Sequence, residues 1–208
     1  DSVTTIERNA FYNRDEMTTV NIGQNSQLTT IGNNAFSGNH SLTSIYIPST
    51  VMSIGDSAFN NDGAINFTVA QANSVYSSEN GHLIERATNT LIRGGQNGEV
   101  PSGITAIAQA AFRNSTNITE LVIPASITVI GNYFIASSSI VTVNYMGTKE
   151  DWNAITKSAS MWNYGNRDVE LIYKTQSKVL VVYFSAQNHT EIVANYIATA
   201  TGGELFEL

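Results

Sequence analysis

Cysteine is absent from this chain of 208 residues. That excludes disulfides, thiolate metal sites, iron–sulfur clusters and cysteine nucleophiles. Charge is scarce too. Only 13% of residues are charged, about half the usual share, and Ser, Thr and Asn supply the polarity instead. The charge present runs acidic, with 17 Asp and Glu against 10 Lys and Arg, a net of −7. A broad basic footprint is thereby excluded, so neither nucleic acid nor anionic lipid is an expected partner. No apolar run approaches the roughly 18 residues of a transmembrane segment. His40, His82 and His189 lie far apart with no His-x-x-x-His pair, and no metal site or catalytic residue is predicted. The chain opens at Asp1 without an apolar leader, so the expectation is a processed chain or a piece of a longer one. Hydrophobic residues make up 42%, enough for a real core in one or two domains.

Internal repeats are present. Ala35-Phe36 follows Ile31-Gly32, and Ala58-Phe59 follows Ile54-Gly55 23 residues on. Ala111-Phe112 follows Ile107-Ala108, and Phe134 follows Ile130-Gly131, a copy read as lacking one residue. Ala10-Phe11 after Ile6 is a first, partial copy. Each phenylalanine precedes an apolar triplet spaced three then two: Met17/Val20/Ile22, Leu42/Ile45/Ile47, Ala64/Phe67/Val69, Ile118/Leu121/Ile123 and Ile140/Val143/Tyr145. The last two members alternate with polar residues, the pattern of a short half-buried strand. Pro48 and Pro124 end two of these strands. A coil of about 23 residues cannot bury its own apolar face, whereas stacked coils can. The predicted architecture is therefore mainly β: a solenoid with short parallel strands on one face. Its Phe segments return along another face, and Ile45, Ile47, Phe59, Phe112, Leu121, Ile123 and Phe134 share one continuous core.

The stretch Leu42-Thr-Ser-Ile-Tyr-Ile-Pro48-Ser-Thr-Val-Met-Ser-Ile-Gly-Asp-Ser-Ala-Phe59 resembles the BspA-like leucine-rich repeat family. Val75 to Ile84 is similar to that family's recurrent β-hairpin insert, with Leu91-Ile92 as the returning strand, and Tyr145 to Ile155 to its terminal segment. The sequence departs from the pattern at Asn114, where many copies carry Cys, and at Ala108, where Gly is usual. The resemblance implies a leucine-rich-repeat domain over residues 1–173, with an insert at about 71–99 and a terminal cap at about 145–173. It further implies a non-enzymatic binding or adhesion module of a bacterial surface or secreted protein, with a protein or matrix ligand and an extracellular location. Glu150-Asp151 beside Trp152 reads as the start of a short capping helix, with Trp152 and Trp162 as lids on the open core.

Alternation across a strand identifies the outward positions of the repeat face. They are Thr19, Asn21, Ser44, Tyr46, Asn66, Thr68, Glu120, Val122, Thr142 and Asn144. This row is small and polar. One reading is a ligand face with Tyr46 as an anchor, the other a solvated sheet surface. Five Asn-x-Ser/Thr triplets, at Asn39, Asn66, Asn114, Asn117 and Asn188, match the glycosylation pattern, which Asn-rich turns also generate by chance.

Composition changes after a polar linker at residues 174–177. Lys178-Val-Leu-Val-Val-Tyr-Phe184 is a continuous apolar run, as in a strand covered on both faces. A helical stretch from Glu191 to about Thr201 ends at Gly202-Gly203, and Glu204-Leu-Phe-Glu-Leu208 begins a second strand. Strand, hydroxyl-bearing loop and helix start form a phosphate-binding geometry. Residues 178–208 resemble the N-terminus of a short bacterial flavodoxin, a truncated β-α-β fragment. The resemblance makes Ser185, Gln187, Asn188, His189 and Thr190 the phosphate loop of an FMN site. Ser185 and Thr190 match the ends of the family's S-x-T-G-N-T loop, and the three residues between them depart from it. No cofactor is expected in this chain; FMN belongs to a complete flavodoxin-like parent, an electron-transfer protein in which the repeat domain is a targeting arm. An apolar strand with few neighbours invites edge pairing, so a homodimer through 178–208 is expected, with docking near Val169–Tyr173 as the alternative.

Overall fold

The computed structural model describes residues 2–60, 65–158, 168–174, 180–183 and 204–207. The chain divides into two compact units, Asp1–Lys174 and Thr175–Leu208.

The first unit is a solenoid whose coils bond to one another along three sides. One side carries four-residue strands whose inward positions are the apolar triplets. β1 (Thr5–Ile6) and β2 (Thr30–Ile31) belong to another side, and β3 (Ser44–Ile47) is the first long strand. Ile45 and Ile47 are buried and Ser44 is exposed, the alternation expected of a strand covered on one face. β4 (Ser53–Ile54) extends the β1–β2 row in parallel, and β5 (Asn66–Val69) pairs with β3 in parallel. After the insert the pattern resumes. β9 (Ala106–Ile107) and β11 (Val129–Ile130) continue the short row, while β10 (Glu120–Ile123) and β12 (Thr142–Tyr145) continue the long one. Pro48 and Pro124 directly follow β3 and β10. The terminal segment holds α1 (Lys149–Ala154), β13 (Thr156–Lys157) and β14 (Glu170–Tyr173). β13 adds to β11, and β14 to β12. Thr148 caps α1 in a reciprocal box with Asp151, and Trp152 is buried in edge contact with Tyr145, with ring centres 5.2 Å apart. It closes the core as a lid; Trp162 lies outside the described residues.

The third side carries the Phe segments. Phe11, Phe36 and Phe59 stack nearly face to face at 5.2 and 5.5 Å. The corner glycines before them are dictated by coil spacing. A Cβ on Gly32 would lie 2.7 Å from the Arg8 nitrogen, and one on Gly131 2.5 Å from the Gln109 nitrogen. Ala108, at the corresponding place, faces the insert instead of another such coil, and its N–H donates to the Leu91 carbonyl.

Two expectations need correction. The copy at Ile130 lacks no residue. Val129 and Ile130 pair with Ala106 and Ile107. Ala110 and Tyr133, 23 residues apart, both adopt positive φ. Ile135 therefore takes the place of Phe112 and Phe134 that of Ala111, and both are buried. Nor is the core continuous. Ile45, Ile47 and Phe59 belong to one cluster, and Phe112, Leu121, Ile123 and Phe134 to another. The insert divides them. It is a three-stranded meander, the expected hairpin with Leu91 and Ile92 in its returning strand: β6 (Tyr76–Glu79), β7 (His82–Glu85) and β8 (Thr90–Arg93). An Asn80-Gly81 turn, both residues at positive φ, joins β6 to β7, and β8 re-enters the parallel row beside β9. Neighbouring side chains on β7 point to opposite sides. Leu83 joins the first cluster and Ile84 the second.

In the second unit, β15 (Leu180–Tyr183) and β16 (Glu204–Glu207) pair in parallel and in register. Parallel neighbours need a crossover connection. The stretch 184–203, including the loop Ser185–Thr190, lies outside the described residues.

Phe112 is fully buried, and Gly94 lies so close over its ring that a Cβ there would collide with it. Phe112→Ala is expected to cost about 3–5 kcal/mol. Phe11→Ala, at the 40% exposed end of the stack, is expected to cost well under half of that. Urea unfolding of the two variants checks the ranking.

Candidate functional site

The long strands present their outward side chains in straight rows fixed by backbone register. Ser44 lies opposite Asn66, and Tyr46 opposite Thr68. A bridge from Val20 to Ile45 brings Thr19 and Asn21 alongside, both exposed. Beyond the insert, Glu120, Thr142 and Glu170 form one row, and Val122, Asn144 and Ile172 the next. Every outward position named from the sequence alternates with an inward apolar neighbour, but the positions form two groups.

The insert fills the space between them. Phe67 N–H donates to the Gly81 carbonyl, and Val122 N–H to the Gly98 carbonyl at 2.7 Å. Glu99 bridges Val122 directly. Gln96 then ties both groups together. Its side-chain oxygen accepts from Asn66 Nδ2 at 3.2 Å, its own Nε2 donates to the Thr43 carbonyl, and its carbonyl accepts from Asn117 Nδ2. A shallow polar hollow lies here, between Thr68, Asn80 and Asn97. Asn144 donates its amide to the Glu120 carboxylate. The face thus carries already bonded side-chain amides at Asn66, Gln96, Asn117 and Asn144, with Glu99, Glu120 and Glu170 as exposed carboxylates. Tyr46 is only half-exposed, whereas Ile172 is 44% exposed.

Gln96, Glu99, Glu170 and Ile172 were not among the residues named from the sequence. A signal for the first two exists: Val100-Pro101 repeats the strand ending of Ile47-Pro48 and Ile123-Pro124. Ser185, Gln187, Asn188, His189 and Thr190 fall outside the described residues. Among the described residues no three His, Asp or Glu side chains converge as a metal site requires. Asn39, one of the glycosylation-pattern asparagines, is fully buried, and its amide donates to the Phe11 and Phe36 carbonyls.

His82 anchors the insert beneath this face. It is fully buried, edge-on to Phe112. Its Nδ1 accepts from Gly95 N–H at 2.8 Å, so Nε2 carries the proton and donates to the Glu99 carbonyl at 2.9 Å. Burial holds its pKa below the ordinary value near 6.5, against a smaller opposing effect of the Glu99 carbonyl. Below pH about 6.5 the unfolded chain takes up a proton that the folded chain refuses. Stability from this group is therefore complete above that pH and is lost as pH falls toward the folded pKa, with a limiting slope of about 1.4 kcal/mol per pH unit. Urea midpoints measured from pH 7.5 to 5 are expected to fall below pH 6.5 in the parent, and less steeply in His82→Gln.

A family model described as the BspA type leucine-rich repeat region matches in six copies, over residues 1–80 and 95–159. It leaves out residues 81–94 of the insert and is not a catalytic family. No curated protein matches the sequence. Among solved structures, a leucine-rich cell-surface protein of Faecalibacterium prausnitzii superimposes with a TM-score of 0.54 at 18% identity. That match covers 79% of this chain and 62% of that one, so the chain spans less than two thirds of its neighbour's length. The pneumococcal vaccine antigen PcpA gives a TM-score of 0.48 at 12% identity, over 100% of this chain and 77% of that one. A leucine-rich repeat protein of Eubacterium ventriosum gives 0.39 at 15% identity, over 86% and 72%. The first of these likenesses concerns fold alone; the repeat match covers well over half of the chain. The chain belongs to the BspA-type leucine-rich repeat family.

Proposed function

We propose that this chain is a non-enzymatic module of a bacterial surface or secreted protein that binds a protein or matrix ligand on its long-strand face. The observation that carries this reading is the register of that face. Parallel pairing holds Glu120, Thr142 and Glu170 in one row and Val122, Asn144 and Ile172 in the next. Side chains tied to one another, as Asn144 is to Glu120, lose little further freedom when a ligand covers them. The likeness to a protein described as a leucine-rich cell-surface protein supports the location.

Surface plasmon resonance against immobilised purified matrix proteins, collagen and fibronectin among them, tests the reading. Saturable binding is expected, weakened at least tenfold by the pair Thr142→Arg and Asn144→Arg and unchanged by Met52→Ser beside β4. A folded double variant that binds like the parent removes the face from the reading, and absence of binding to every matrix protein removes the reading itself.

A second reading applies to residues 178–208, favoured by the parallel pairing of β15 with β16. We propose that this separate segment is flavodoxin-like, with Ser185 to Thr190 as a loop for the FMN phosphate and the repeat domain as a targeting arm. By the flavodoxin resemblance the segment would supply the phosphate loop, whereas the family's flavin-stacking loops belong to later parts of that fold. Titrating FMN while following flavin fluorescence is therefore expected to show no saturable quenching at micromolar protein. Saturable quenching would mean that the tail holds flavin by itself.

A further inference from the structure

The Phe side of the solenoid is joined by a regular ladder of backbone bonds. The N–H groups of Asn9, Phe11 and Asn13 donate to the carbonyls of Asn33, Ala35 and Ser37. Those of Asn34, Phe36 and Gly38 donate to Asp56, Ala58 and Asn60, and those of Ala110, Phe112 and Asn114 to Asn132, Phe134 and Ala136. Ser57 and Phe59 stand 23 residues on from Asn34 and Phe36. Among the described residues, no carbonyl accepts from either of their N–H groups. Across the break, the next coil's carbonyls are met by the insert in part. Ala111 accepts from Gly94 N–H at 2.7 Å, and Arg113 from the Arg93 guanidinium at 2.8 Å. The Gln109 carbonyl, which the same periodicity makes an acceptor, has no donor among the described residues.

A groove of about 480 Å³ opens at this break, between the coil Gly55–Asn60 and Ala108–Ala110. Its walls thus offer two backbone donors and one backbone acceptor at strand-like spacing. Unanswered main-chain groups of this kind are a template for a further extended segment. The groove also carries the carboxylates of Asp56 and Glu85. The one guanidinium in its lining, that of Arg93, is turned onto the Ala110, Ala111 and Arg113 carbonyls.

We propose that this groove docks an extended basic segment of a partner protein by backbone addition. The segment's carbonyls accept from Ser57 and Phe59, its N–H donates to Gln109, and its Lys or Arg side chains meet Asp56 and Glu85. The site is separate from the long-strand face and does not depend on that face binding anything.

The test uses the full chain, labelled with ¹⁵N. In the free protein the Ser57 and Phe59 amides are expected to exchange with deuterium at least a hundredfold faster than that of Phe36. An acetylated and amidated lysine–valine alternating hexapeptide is then titrated in. Saturable shifts confined to 55–60, 85 and 108–110 are expected, together with slowed exchange at Ser57 and Phe59. Asp56→Asn is expected to weaken binding roughly threefold, as the loss of one exposed charge pair does, and a glutamate–valine peptide is expected not to bind. Free-protein exchange at Ser57 and Phe59 as slow as at Phe36 overturns the proposal, because the ladder would then be closed. Shifts confined to the long-strand face, or equal binding of the acidic peptide, overturn it as well.

Discussion

Close approach between successive backbone coils is the constraint on which the first unit rests. A single coil leaves its main-chain donors and acceptors unanswered, and burying them without partners costs too much to allow a fold. Each coil therefore borrows partners from the next on three sides, and the spacing that permits those bonds decides which residues fit. At the corners where coils press hardest, Gly32, Gly55 and Gly131 leave room for the neighbouring nitrogen. Where the coils must bend sharply, Asn9, Asn34 and Asn114 adopt positive φ, which asparagine tolerates better than most residues. The buried phenylalanines fill the space that this scaffold encloses. They follow from the backbone geometry at least as much as they direct it.

The insert shows what happens when one coil breaks the rule. β6, β7 and β8 take the place of an ordinary turn of the solenoid, and the Phe side loses a rung. The chain compensates with groups that are unusual in a core. Arg93 is 4% exposed and uses its guanidinium where backbone N–H groups stand elsewhere. His82 bonds at both ring nitrogens to the backbone of the insert itself. Gly94 surrenders its side chain to make room for Phe112. These polar and empty positions lie where the apolar core separates into two clusters, with Leu83 of β7 in one and Ile84 in the other.

The solenoid was legible in the sequence because its signal is redundant. Leu42, Ile45 and Ile47 mark an inward face by themselves, and Ile118, Leu121 and Ile123 repeat it at the same spacing. The burial of Ile45, Phe59, Phe112 and Leu121 follows from that pattern. Three-dimensional register was less legible. Phe134 drew the alignment because it is aromatic, yet the coil keeps its full length and seats Ile135 in the Phe place, since volume matters there more than aromaticity. The division of the core was not legible either, because an insert's effect on stacking depends on which way each β7 side chain points. On the long-strand face, the alternation of Ser44 and Tyr46 or Thr142 and Asn144 was readable. The arrival of Gln96 between the two groups was not, because it depends on how the insert returns to the solenoid.

The abundance of Asn and the scarcity of charge look at first like properties of one adhesive surface. The structure separates them. Asn9, Asn13, Asn34, Asn80, Asn89 and Asn114 occupy positive-φ turns, and Asn39 and Asn73 are buried where they bond to the carbonyls of adjoining coils. These asparagines are spent on the backbone, so composition alone says little about a ligand. What remains for the proposed recognition is the smaller set whose presence the turns do not explain. On the long-strand face these are Asn21, Asn144, Glu120 and Glu170, fixed by register. At the insert the unexplained groups are main-chain atoms, fixed by the lapse of a ladder. The two surfaces differ in kind. In the two proposals the first surface meets a partner through side chains and the second through extended backbone and charge, so substitutions on one are expected to leave binding at the other unchanged.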